Sequence, residues 1–367
     1  MGDISIGILT DNDNIIKVDI ASYPNDFGDR LYGDTRILAC AYYVNKNKDN
    51  VVLLSNDLNL RVRGRALGLM CEKHEKANGS TTELYAGVQY LKNEEAGTKL
   101  EADGSISAVE YDLDLQPNEY VVFTNKHGDE ISKGRLSKKG KIKIVPKISP
   151  WGLVARNSEQ EMLIDLIMDP KISLVTAIGH AGTGKSIVSI ASCLELVLHK
   201  KVYNKVSIYK PIESVGKELG FLPGDLESKL SPIFLSVKDS FEVLFSGSGK
   251  AGTDWKRDLE MFQKKGRIEF EPITYIRGRS LPFTLMLMDE CQNLDAKDVK
   301  TLLTRAGEGS KILLLGDIEQ IDNKDLDASN NGLTQVIERF KGWDNFAHIT
   351  LVHGERSILA SKAAELL

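Results

Sequence analysis

The chain has 367 residues, 42% of them hydrophobic and 27% charged, with a formal net charge of −5 at pH 7. That length allows two or three domains and a sizeable core, and the acidic balance excludes a generally basic nucleic-acid-coating protein while leaving a local basic groove open. Cys40, Cys71, Cys193 and Cys291 are scattered without a CxxC pair, so they read as reduced, mostly buried thiols rather than a disulfide or metal framework.

The opening "MGDISIGILTDNDN" is acidic and lacks a basic, then apolar, leader pattern. No segment reaches the roughly 18 apolar residues a membrane span needs, so a cytoplasmic location without a membrane partner is expected. Residues 1 to 75 alternate helical patterns ("TRILACAYYV", "NLRVRGRALGL") with a buried strand, "NVVLLSND". Such alternation predicts a small parallel-sheet domain.

Residues 76 to 147 change character. "TELYAGVQYL", "SISAVEYDLDL", "NEYVVFTN" and "GKIKIVP" are β-like and separated by Gly, Asn and Asp turns, with weak helix signals. They predict a small all-β module. Its end, "SKGRLSKKGKIKIVPK", is strongly basic; it is either a solvated hairpin face or a nucleic-acid contact.

From residue 148 to 367 strands and helices alternate. "SLVTAIG", "KVSIYK", "RIEFEPI", "FTLMLMDE", "KILLLGD" and "FAHITLV" are candidate strands, mostly apolar on both faces. That continuity predicts a parallel sheet covered by helices on both sides.

The first strand leads into "GHAGTGKS", residues 179 to 186, and then a helical run. Gly179, Gly182 and Gly184 let the loop turn its amides toward phosphates at a helix N-terminus. Lys185 would reach the β/γ oxygens of a nucleotide and Ser186 would offer its hydroxyl to Mg²⁺. Ala181, Thr183 and Ile187 complete the expected nucleotide-binding stretch. A plain Gly-rich strand–helix turn is the competing reading, and the full spacing between strand and helix outweighs it.

"TLMLMDE" ends an apolar strand on Asp289 and Glu290, at the sheet edge where ligands of open α/β sheets sit. Asp289 is expected to hold Mg²⁺ and Glu290 to act as general base toward water, although an acidic pair here can also cap a helix. In "KILLLGDIEQID", Asp317 and Gln320 end a neighbouring strand; they either sense the γ-phosphate or form an Asx-type turn. Asn157 and Gln160 fit a capping box. Gln160 alternatively reads the adenine edge, as the glutamine in this position does in helicase-type ATPases. Arg277, Arg279, Arg305 and Arg356 are candidates to stabilise the transition state, against the commoner role of a surface arginine.

Together "PWGLVARNSEQ", "GHAGTGKS", "GKELGFLPGD", "YIRGRSL", "MDECQN", "LLTRAGEGSKILLLGDIEQID" and "GERS" resemble the PhoH family of ATPases. The resemblance implies an α/β fold with a RecA-like P-loop core similar to superfamily 1 helicases. It also implies ATP and Mg²⁺ as cofactors, a link to RNA and a homohexamer. In such a ring Arg356 would be the leading finger supplied to a neighbour, with Arg305 second. One departure is Lys210-Pro211, where the family usually has Arg-Pro; lysine keeps the charge but loses the bidentate fork.

"YGDTRILACAYYV" and "VVLLSNDLNLRVRGRALGL" look like the second half of a PIN nuclease domain, and "PNEYVVF" resembles the β connector of PIN–PhoH fusions. Asp34 and Asp57 fall on two of the positions where PIN domains place metal-binding acids. The opening strand with its first aspartate, and the middle acid, have no counterpart in this sequence. Two carboxylates are too few to hold a catalytic Mg²⁺ firmly, so little nuclease activity is expected.

The reading is an ATP-hydrolysing motor acting on single-stranded RNA, behind a β connector and a partial PIN-like domain. Its rivals are a nucleotide-switched assembly protein and a nuclease fed by the ATPase. Within "KPIESVGKELGFLPGDLESK", Lys210, Lys217 and the backbone around Gly216 and Gly220 suit phosphate contacts with RNA, unless the loop only packs against a neighbouring subunit.

Overall fold

Contacts along the chain separate Met1–Thr82 from Glu83–Leu367. The computed structural model describes residues 8–9, 15–16, 33–47, 51–55, 58–72, 84–211, 231–246, 255–276 and 278–354. In the first unit β1 (Ile8–Leu9) and β2 (Ile15–Ile16) pair antiparallel. They are followed by α1 (Gly33–Asn47), β3 (Val52–Leu54), α2 (Leu58–Ala66) and β4 (Met70–Glu72), with β3 and β4 parallel. Leu38, Leu53, Leu60, Leu69 and Cys71 form its apolar centre. The β/α alternation expected there is present; β4 was not foreseen, since three residues carry little pattern.

The second unit begins with a five-stranded sheet of β5 (Val88–Lys92), β6 (Ser105–Ser107), β7 (Tyr120–Thr124), β8 (Glu130–Leu136) and β9 (Lys141–Ile144), in the order β5-β7-β8-β9-β6. The module is not all-β. Helix α3 (Glu94–Asp103) runs between β5 and β6. Asn93 caps it by accepting from the Ala96 amide, Glu94 and Glu95 sit in its first turn, and Gly104 closes it in a left-handed conformation. Its Ala96 and Leu100 pack with Val121, Phe123 and Ile142 of the sheet.

Helix α4 (Ser158–Met168) follows, and the basic stretch meets it. Lys133 Nζ pairs with Glu161 at 2.8 Å, and Arg135 pairs with Asp165 at 3.2 Å and Asp169 at 2.7 Å. Tyr120 Oη lies 2.7 Å from Asp165 Oδ2. Burial pushes the Asp165 carboxyl up, and Arg135 and the Tyr120 hydroxyl oppose this. The remaining lysines of the stretch, including Lys139, Lys141 and Lys143, are exposed. The charges therefore divide between ion pairs and a solvated face.

All six strands expected after residue 148 form one parallel sheet: β10 (Leu174–Gly179), β11 (Lys205–Lys210), β12 (Ile268–Pro272), β13 (Thr284–Met288), β14 (Lys311–Gly316) and β15 (Phe346–Leu351). Their order is β12-β11-β13-β14-β10-β15. In β10, Val175 and Ala177 face α4, α5 (Lys185–Leu194), α6 (Leu235–Ser246) and α7 (Trp255–Lys264). Leu174 and Ile178 face α8 (Ala296–Leu303) and α9 (Gly332–Phe340). The period of two thus feeds two apolar layers, which is why these strands read as unbroken apolar runs.

One lysine lies inside this core. Lys311, the first residue of β14, is fully buried and donates to the carbonyls of Leu166, Ile167 and Asp169 at 2.8, 2.6 and 2.8 Å. It satisfies carbonyls that the last turn of α4 leaves without helical partners.

Candidate nucleotide site

Parallel pairing brings all strand ends of one kind to the same edge, and β14 lies between β10 and β13. The loop after β10, the acids after β13 and the turn after β14 therefore stand side by side. They enclose a cleft of about 280 Å³ lined by Ala181, Gly182, Gly184, Lys185, Ser186, Ile187, Asp289, Glu290, Gly316, Asp317 and Gln320. Ser236 and Ser240 of α6 close its other wall. The sequence-expected phosphate loop, acid pair and β14 pair are brought together; the α6 serines were not expected.

The loop is held from beneath by Gln160. Asn157 accepts from the Gln160 amide, as a cap should, and the Gln160 side chain accepts from the Arg156 amide and donates to the Thr183 carbonyl at 3.0 Å. Gly184 is left-handed at φ 88°, and a Cβ there would stand 2.6 Å from Gln160 Nε2. Only glycine fits both demands. Lys185 Nζ donates to the Gly179 carbonyl and, at 3.0 Å, to that of His180.

Asp289 is 5% exposed and its Oδ1 lies 3.3 Å from Ser186 Oγ. Burial pushes its carboxyl above the usual carboxylate range; Lys210 opposes this, Glu290 adds to it, and Lys185 and the Ser186 hydroxyl also oppose it. A hydroxyl and a carboxylate beside a phosphate loop are hard oxygen donors of the kind Mg²⁺ takes. The donor set fits that ion. Among the described residues no cluster of three or more His, Cys, Asp or Glu could hold a metal by itself.

Glu290 adopts φ 57°, ψ 37°, a left-handed conformation costing a non-glycine residue roughly 1–2 kcal/mol. Its partner is Gln292, which is fully buried. Gln292 Nε2 donates to Glu290 Oε2 at 2.8 Å and to the Gln320 carbonyl at 2.9 Å, while its Oε1 accepts from the Asp317 amide at 3.1 Å. A Cβ at position 316 would lie 2.7 Å from that oxygen, so Gly316 leaves it room. Asp317 forms the expected Asx-type turn by accepting from the Glu319 amide, and its other oxygen accepts from the Ala181 amide of the phosphate loop at 3.0 Å. The turn is thus formed, and the same carboxylate ties it to the phosphate loop. Gln320 is exposed at the cleft.

Among the described residues, Arg279 and Arg305 do not line the cleft. Arg305 lies beside Leu281, whose amide donates to its carbonyl, before β13 and β14 begin and so at the sheet edge opposite the cleft. Arg279 is paired with Glu271 at 2.7 Å. Arg277, Arg356 and Asp57 lie outside the described residues, as does 212–230 with Gly216, Lys217 and Gly220; Asp34 is on α1. Lys210 does not face outward toward a nucleic acid. It is 8% exposed and directed at Asp289.

Two further residues escaped the sequence reading. Glu159, 2% exposed, accepts from the Val352 and His353 amides at 2.8 and 3.0 Å, fixing the chain as it leaves β15. Gln292 stands two positions after the acid pair in "MDECQN". A polar pair following a buried strand end was the available signal.

A parallel sheet whose strand end carries a glycine-rich loop into a helix, opposite a buried aspartate and a glutamate, defines the P-loop NTPases. The sequence pattern described as PhoH-like protein matches residues 153–365, and that described as PIN domain matches residues 8–75. The chain is 37% identical to Protein PhoH2 of Bacillus subtilis (strain 168) over 347 residues, covering 91% of this chain and 77% of that one. It is 33% identical to Protein PhoH2 of Mycolicibacterium smegmatis over 340 residues, covering 91% and 74%. Protein PhoH of Escherichia coli (strain K12) is 33% identical over 189 residues, 52% of this chain and 50% of that one. The chain belongs to the PhoH-like family, with a PIN-like domain at its N-terminal end. It is a P-loop NTPase, and among the described residues no helix is long and apolar enough to cross a membrane.

Proposed function

We propose that the chain hydrolyses ATP and couples hydrolysis to binding and movement along single-stranded RNA, as a ring of identical subunits. The observation that carries the hydrolytic part is Glu290 held by Gln292 at the edge of the phosphate cleft, beside the buried Asp289. Loop amides and Lys185 would hold the phosphates, and Ser186 and Asp289 would hold Mg²⁺. When bound, that ion neutralises developing charge on the phosphoryl oxygens. Glu290 accepts the proton of the attacking water. Gln320 and Asp317, tied to Glu290 through Gln292, register whether the terminal phosphate is present. Gln160 serves the loop rather than the adenine edge, because both ends of its buried amide are engaged, by the Arg156 amide and the Thr183 carbonyl.

The cleft lacks an arginine of its own among the described residues. That supports completion by a neighbour, with Arg356 first and Arg305 second. Arg305 lies at the far sheet edge, so any role it has is exercised in a neighbouring subunit's site.

ATP turnover measured with and without single-stranded RNA, alongside mass measurement in nucleotide, tests the reading. Stimulation by RNA that weakens as salt rises is expected, together with a hexamer mass. Turnover unchanged by RNA from low to moderate salt would instead favour a nucleotide-switched assembly protein.

Gln292 provides a separate test of how the base is held. Gln292→Ala should lower kcat by about tenfold, because Glu290 loses the bond that fixes its carboxylate. ATP affinity should change by less than about threefold, since Gln292 does not line the cleft. Equal losses in affinity and turnover would make Gln292 a packing residue only.

A further inference from the structure

Lys210 ends β11, and the register of β11 with β13 places Tyr209 opposite Met288, so the next residue on each strand stands side by side: Lys210 and Asp289. Lys210 Nζ is 3.7 Å from Asp289 Oδ2 and donates to Ser236 Oγ at 2.8 Å. The two side chains of the ion pair are 10% and 8% exposed. Ser236 belongs to the wall of the phosphate cleft. The other carboxylate oxygen, Oδ1, faces Ser186. One aspartate thus has a fixed ammonium on one oxygen and the metal-side hydroxyl on the other.

We propose that Lys210 keeps Asp289 from taking a divalent cation until nucleotide phosphates are present, so that metal and nucleotide enter together. This rests on Asp289 being the metal-binding acid. Ser236 fixes the ammonium in place, and with little solvent to screen it, its charge opposes a second cation on the same carboxylate. Without Lys210, Asp289 and Glu290 would present two neighbouring carboxylates with Lys185 as the remaining ammonium nearby. Phosphates add negative charge on the opposite side of the metal position and offset the repulsion. The result is a carboxylate already paired in the absence of nucleotide, which does not collect stray divalent ions.

The probe is Mn²⁺ alone, titrated into the full chain and followed by the loss of the free-ion electron paramagnetic resonance signal. Lys210→Gln should bind Mn²⁺ about tenfold more tightly than the wild type, and Lys210→Arg, which keeps the charge, should match the wild type. Adding Asp289→Asn to Lys210→Gln should remove the gain. With ATP present, the difference between wild type and Lys210→Gln should shrink. Should Lys210→Gln not fold, Lys210→Met, apolar and of similar length, gives the same readout. Mn²⁺ affinity equal to or below the wild type in a folded, ATP-binding charge-removed variant would overturn the proposal. If Asp289→Asn alone leaves Mn²⁺·ATP binding untouched, the assignment of Asp289 fails instead.

Discussion

Glu290→Gln is expected to bind ATP about as well as the wild type and to hydrolyse it at least about 10²-fold more slowly. The amide has the same shape and can still contact Gln292, but it cannot accept a proton from water. Lys185→Ala should behave differently and lose both affinity and turnover, because it removes the charge held against the phosphates. The pair of variants separates chemistry from binding. Rapid-quench rates and equilibrium nucleotide titrations measure the two effects. A wild-type rate in Glu290→Gln would show that another group activates the water.

The second large effect is on stability and lies away from the chemistry. Lys311→Met should lower the stability of the Glu83–Leu367 unit by roughly 3 kcal/mol. Methionine fills much of the lysine's volume but leaves the Leu166, Ile167 and Asp169 carbonyls without their donor. Buried acceptors without partners carry their full desolvation cost. Denaturant unfolding followed by the fluorescence of Trp151, Trp255 and Trp343, all of which lie in that unit, measures the change. An unchanged midpoint would show that water or a shifted α4 satisfies these carbonyls.

What could be read from the sequence follows physical lines. The six strands of the large sheet were legible because burial on both faces leaves an uninterrupted apolar run, and each run ends on a chemically distinctive loop. The phosphate loop and the acid pair were legible for the same reason. Helix α3 was hidden because Gly97 and Thr98 interrupt its pattern, and its signal lies in its caps, Asn93 and Gly104. Strand β8 was hidden by Lys133 and Arg135, whose charges make sense only beside Glu161, Asp165 and Asp169. Gln292, Lys210, Ser236 and Ser240 join the site through strand order and a helix returning from elsewhere in the chain. Local spacing does not contain that information.

Helix α4 has its two ends fastened to different things. Near its start Gln160 holds the Thr183 carbonyl of the phosphate loop; near its finish Asp165 and Asp169 hold Tyr120 and Arg135 of the β connector. Eleven residues at 1.5 Å each make a rod of about 16 Å, and a buried, fully bonded rod does not stretch. The connector and the nucleotide loop are therefore joined through one continuous buried helix. Thermodynamic reciprocity then runs the other way: any ligand whose grip on the connector changes with nucleotide must in turn change the protein's grip on nucleotide by the same factor. The small β module and the phosphate loop are in this sense bound to one another through α4.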